Sequence, residues 1–120
     1  MTAWQKGFAL VALAWAMAVA WGSLAPTSAI PQQLPWDKFN HFVAYAGLAF
    51  WLRLSGRHWL TALLVAIGFS ILIEYLQLAA PGRDGGDWQD ILANSLGACS
   101  AWVLARMSHW WRSSRNHTAR

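Results

Sequence analysis

Charge is what this sequence has least of. Of its 120 residues only 12% are Asp, Glu, Lys or Arg while 57% are hydrophobic, a balance that excludes an ordinary soluble domain and marks a membrane protein. From Gly7 to Trp36 there is no charged residue at all. Cysteine is nearly absent too: Cys99 alone excludes an intrachain disulfide, supplies no metal-ligand spacing, and lies inside an apolar segment where a buried, inert thiol is expected. The basic excess, with a pI near 10.0, does not point to nucleic acid, because the cations are dispersed near segment ends and form no basic face.

What is present is hydrophobic run and tryptophan. Phe8–Leu24 is long enough for a first transmembrane helix, with Lys6 marking its start. A cleaved signal peptide, cut after Ala18-Val19-Ala20, is the competing reading of that run. Pro26, Pro31 and Pro35 make a loop, and Pro35 suits the first turn of a second helix, about residues 36–52. Between Lys38 and Arg53 lie only 14 uncharged residues, fewer than the ~20 that span a bilayer, so this helix crosses only if Asp37, Lys38 and His41 face a protected interior. Gly56 stops it, and the short link to the next helix implies antiparallel neighbours. A third helix over 59–78 ends before Pro81-Gly82, and a fourth over 88–107 begins after Gly85-Gly86 with Asp87 as N-cap. The expectation is an all-α bundle of four transmembrane helices filling residues 1–107, followed by a frayed polar tail, 108–120.

Trp4, Trp51, Trp59, Trp110 and Trp111 would then lie at one membrane level and Trp21, Trp36 and Trp88 at the other, as an interfacial belt does; Trp15 and Trp102 fall mid-span. Lys6, Arg53, Arg57, Arg106, Arg112, Arg115 and Arg120 share one side, with Lys38 and Arg83 opposite them, so both termini are expected in the cytoplasm. The same orientation holds for the last three helices if the first segment is cleaved.

The acids gather opposite that basic side. Four of the five, Glu74, Asp84, Asp87 and Asp90, fall in one polar hinge, and Asp37 stands at another apolar boundary. Lys38, His41 and Tyr45 are spaced i, i+3, i+7; Glu74 and Gln77 i, i+3; Asp87, Asp90, Asn94 and Gly97 i, i+3, i+7, i+10, so each set forms one stripe on its helix. Each group also has a plain structural explanation. The loop acids suit a helix N-terminus, Arg83 suits a lipid phosphate, His41 and Tyr45 suit simple hydrogen bonding and packing, and Gly97 suits close helix approach. Glu74 and Asn94 fit such explanations least, each lying about 10 Å inside its helix end. Five carboxylates against two cations leave three negative charges in excess. Glu74 is therefore expected to pair with Lys38, His41 or Arg83, with protonation or a bound divalent cation as alternatives.

These residues carry a resemblance. Asp37-Lys38, His41 and Tyr45, then Glu74 and Gln77, Arg83-Asp84, and Asp90, Asn94 and Gly97, in this order over residues 36–104, resemble the pattern of the VanZ-like family of small bacterial membrane proteins. The family's namesake is linked to teicoplanin resistance. What the resemblance implies is a multi-pass protein of the bacterial cytoplasmic membrane; the distribution of Lys and Arg makes its functional face non-cytoplasmic, and the expected departure from the family is that no extra domain follows the fourth helix.

Three functions are compatible with that face. One is a non-enzymatic cell-envelope protein binding an amphiphile, a lipid-linked cell-wall intermediate or a lipoglycopeptide, among Asp37, Lys38, His41, Tyr45, Glu74, Gln77, Arg83, Asp84, Asp87, Asp90 and Asn94. The second is an embedded hydrolase or transferase, with His41 or Glu74 as general acid/base and Lys38 and Arg83 on phosphate. Against it, that side has one histidine and no obvious Ser or Cys nucleophile, and the two-histidine arrangement of lipid phosphatases is absent. The third is a structural subunit whose stripes serve a membrane-protein partner. Membrane lipids are partners in every case, and no cofactor, resident metal or nucleic acid is expected.

Overall fold

The computed structural model describes residues 1–29 and 37–118. Four helices follow one another, α1 Ala3–Leu24, α2 Asp37–Leu54, α3 Trp59–Ala79 and α4 Trp88–Thr118, with a short 3₁₀ turn at Thr27–Ala29. There is no strand among the described residues. Pro31, Pro35 and Trp36 lie outside them, as does the side chain of Asp37.

α1 starts five residues earlier than its apolar run, and the reason is a cap. Thr2 accepts the Gln5 amide while the Gln5 side chain accepts the Thr2 amide, a reciprocal pair that satisfies two N–H groups otherwise unpaired at a helix start. α4 corrects the sequence reading at its other end. The expected frayed tail is helical as far as Thr118, since no glycine or proline interrupts the chain after Gly97. At 31 residues α4 is about 46 Å long, well beyond the ~30 Å hydrocarbon core.

By length and composition α1 and α3 are each able to cross a membrane on their own. α2 and α4 carry charges within their helical spans, so their burial depends on neighbours. α2 packs most extensively on α4 and also meets α1 and α3; α1 lies against α2 and α3. Gly97 explains how α2 and α4 come so close, because a Cβ there would collide with the carbonyl of Phe42. The small apolar centre is Tyr45, Leu48, Ala49, Ala66 and Ala98, with Trp15, Val19 and Phe69 around it. Trp15, expected mid-span, keeps its one polar atom satisfied by donating its indole N–H to Ala44 O at 2.8 Å.

The outside is strongly apolar, and several polar side chains lie inside. Leu10, Leu13, Met17, Leu60, Leu64, Leu72, Leu96 and Leu104 are all exposed, whereas Glu74, Gln77, Asp90 and Asn94 are buried. Water would not tolerate so large an apolar surface, and lipid would. Cys99, expected to be buried, is exposed, because two residues beyond Gly97 it falls on the opposite side of α4 from the packed stripe.

Candidate functional site

The alternation of helices brings the end of α1, the start of α2, the end of α3 and the start of α4 together. All the described acids lie at this end. Lys38, one residue into α2, bonds to Asp90 and reaches Asp87 Oδ2 at 3.2 Å. Its side chain is 24% exposed and that of Asp87 43%, so this pair forms the mouth. One turn deeper, His41 Nδ1 stands 2.9 Å from Asn94 Oδ1, and His41 Nε2 is 3.8 Å from Asp90 Oδ2. Asn94, only 1% exposed, donates through Nδ2 to Ser70 Oγ at 2.7 Å. The chain Lys38, Asp90, His41, Asn94, Ser70 thus joins α2, α4 and α3 from the rim to the bundle interior. Tyr45 lies below it, buried and 6.2 Å centroid to centroid from Phe69.

Asp87 is the junction of the cluster. Its Oδ1 accepts the Gln89 amide at 2.8 Å, the N-cap expected from sequence, and its own amide donates to Glu74 Oε2 at 3.1 Å. The Gln89 N–H and the Lys38 ammonium both favour the ionised form and hold the Asp87 carboxyl below its ordinary 3.8.

Glu74 is where the structure corrects the sequence reading most. It is 2% exposed, yet no salt bridge reaches it among the described residues: Lys38 is held by Asp87 and Asp90, Arg83 lies elsewhere, and of the three expected cations only His41 acts on it, through charge rather than a direct bond. Glu74 Oε2 instead completes the cap of α4 from a neighbouring helix, and Glu74 Oε1 accepts no hydrogen bond. Gly85 lets this happen, since a Cβ at that position would meet Glu74 O and Leu78 N at 2.6 Å each.

Gln77 and Arg83, expected on the same pocket wall, face α1 instead. Gln77 Nε2 donates to Ser23 O at 2.8 Å, Arg83 Nε to Ala25 O at 2.7 Å, and Arg83 Nη2 to Gly22 O. Three carbonyls that the end of α1 leaves without helical partners are thereby satisfied. Arg83 is therefore engaged with backbone and is not poised for a phosphate. Asp84 is exposed in the loop. No group of three or more His, Cys, Asp or Glu is arranged for a metal ion among the described residues.

Ser70 was not singled out from the sequence, though it precedes Glu74 by four residues and so shares its face. A hydroxyl aligned with a buried carboxylate in an otherwise apolar run is the signal that marks it.

The VanZ/LLP1 family profile matches residues 2–110. The chain belongs to the VanZ/LLP1 family. The match takes in α1 as well as the motif-bearing helices, which accords with the contacts that Gln77 and Arg83 make to α1. Together with the apolar α1 and α3, membership indicates a membrane protein. No curated protein and no solved structure matches the chain.

Proposed function

We propose that this VanZ-family protein spans the bacterial cytoplasmic membrane four times, with both termini cytoplasmic, and binds the polar head of an amphiphile at its non-cytoplasmic end. The observation that carries the reading is the acidic end itself, where Asp87 and Asp90 hold one ammonium and the buried Glu74 keeps Oε1 as an open acceptor. Groups of this sort are expensive to keep at the end of an apolar bundle, and packing alone would be served by neutral residues.

Chemistry narrows the ligand. Carboxylates outnumber the cation, and Arg83 is committed to α1, so a bare phosphate would meet repulsion at the mouth. A head rich in N–H and O–H donors, such as amino sugar or peptide, complements the acceptors. A lipid-linked cell-wall intermediate and a lipoglycopeptide such as teicoplanin both carry such a head on an apolar tail. The embedded-enzyme reading is less well supported, because both nitrogens of His41 already face polar side chains and the expected phosphate-binding cations are engaged.

The protein purified from its membrane, with its lipids extracted and identified by mass spectrometry, tests this. A glycosylated or amino-bearing amphiphile is expected with the wild type and not with Glu74→Gln. Recovery of the same bulk phospholipids from both would overturn the reading and leave the cluster a packing device.

A further inference from the structure

The opposite end of the bundle holds an open groove of about 1270 Å³. Its floor is the outer face of α2, Phe42, Ala46, Gly47 and Phe50, and its far wall is α4 at Ala101 and Leu104. Trp15 of α1 closes the other side, its indole N–H already spent on Ala44 O, so that the ring adds an apolar surface. Among the described residues no carboxylate lines the groove, and at its mouth stand Arg53, Arg106 and His109.

Two features give the groove a direction. From Phe42 to Arg53 α2 rises about 16 Å, half of a ~30 Å hydrocarbon core, so the groove is as deep as one leaflet. The guanidinium groups are steadied at its mouth by indole faces, Arg53 5.9 Å from the Trp59 ring centroid and Arg106 5.9 Å from that of Trp102, and neither is in an ion pair among the described residues. An arginine held in place with its donors free matches phosphate in two-point geometry.

We propose that this groove is a binding site for one anionic phospholipid, its acyl chains along α2 between α1 and α4 and its phosphate at Arg53 and Arg106. The site requires the chain to lie in a membrane and is independent of what binds at the acidic end. Charge complementarity selects the occupant: a zwitterionic lipid brings a cation to a mouth that is already basic, and a second copy of this chain would bring a basic end of its own to the same mouth.

Native mass spectrometry of the full chain in detergent, supplied with phosphatidylglycerol or phosphatidylcholine of identical chains, tests the site. Phosphatidylglycerol is expected to be retained preferentially. Removing an arginine should lower that preference about fivefold for each of Arg53→Gln and Arg106→Gln. Ala46→Phe, which fills the groove floor, should abolish retention of both lipids, while circular dichroism of all three variants keeps the wild-type helix content. Equal retention of the two lipids by the wild type would overturn the proposal, as would an unchanged preference in the double arginine variant. A dimer that Ala46→Phe dissociates, with lipid retention unaltered, would overturn it in favour of a second copy.

Discussion

The Asp87 amide donates to Glu74 Oε2 at 3.1 Å, so a carboxylate on α3 secures the first turn of α4. A capping box ordinarily draws both partners from one helix; here the acidic partner comes from the preceding helix. The cap ties the order of two helices to the chemistry of one buried side chain.

This separates the two roles of Glu74. Glu74→Gln keeps an amide oxygen for the Asp87 N–H and should fold with a melting temperature close to wild type, while its NH₂ group replaces an acceptor and should abolish retention of the ligand. Glu74→Ala leaves the N–H unpaired and should cost about 1–3 kcal/mol. Thermal melts in detergent, with ligand extraction alongside, distinguish them; equal destabilisation by Gln and Ala would mean that the charge itself holds the cap.

Helical spacing made much of this site legible. Lys38 and His41, and Asp87, Asp90 and Asn94, are read as stripes from i, i+3 and i+7, and the structure joins those stripes directly. Spacing says which residues share a face, but not which neighbour that face meets. Gln77 and Glu74 share a stripe on α3, yet one reaches α1 and the other α4, a divergence set by the loops. The early start of α1 was readable, since Thr2 and Gln5 have capping-box spacing; the apolar run beginning at Phe8 overshadowed it. Counting charges assigns Glu74 a cation as its direct partner because it leaves out backbone N–H groups, and the Asp87 amide takes that place.

Asn94 should be the least replaceable residue of the interior. It serves His41 and Ser70 at once, so Asn94→Leu removes both contacts and should cost about 1–3 kcal/mol. A double-mutant cycle with Ser70→Ala measures the direct link, and a coupling indistinguishable from zero would show that the 2.7 Å contact carries no energy.

Acid should open the mouth. The Asp87 carboxyl titrates below its ordinary 3.8, so its contribution is present in full above that value and fades as pH falls through the lower folded-state pKa. Melting temperature should therefore be insensitive to Asp87→Asn below the folded-state pKa and lower in the variant at neutral pH. Melting curves for both proteins from pH 7 to pH 3 check this, and a constant gap between them at every pH would exclude ionisation as the cause.

Gly97 sets the approach of α2 to α4. Gly97→Ala forces the Phe42 carbonyl to move and should destabilise by about 1–3 kcal/mol, whereas Gly22→Ala, where an added Cβ meets nothing within 4 Å, should not. Comparing the unfolding midpoints of the two variants isolates contact from the general preference of helices for alanine. The two variants would have to melt alike for the close-approach account to fail.

Arg83 should govern the end of α1. Its guanidinium spans the carbonyls of Gly22 and Ala25, a reach that one ammonium cannot reproduce, and Gln77 takes the carbonyl of Ser23 between them. Arg83→Gln releases two of these three carbonyls, and Arg83→Lys keeps one. A cysteine at Ser23→Cys, in a Cys99→Ala background, reports the release through its rate of reaction with a thiol reagent that does not cross membranes. Losing about 1.4 kcal/mol of closure corresponds to a tenfold faster reaction, so at least that increase is expected for Arg83→Gln, with Arg83→Lys between it and wild type. Intact spheroplasts make the same measurement a test of orientation, because the end of α1 faces outward when both termini are cytoplasmic. Labelling confined to inverted vesicles would reverse the orientation, and equal rates in all three proteins would show that Arg83 does not hold α1 in place.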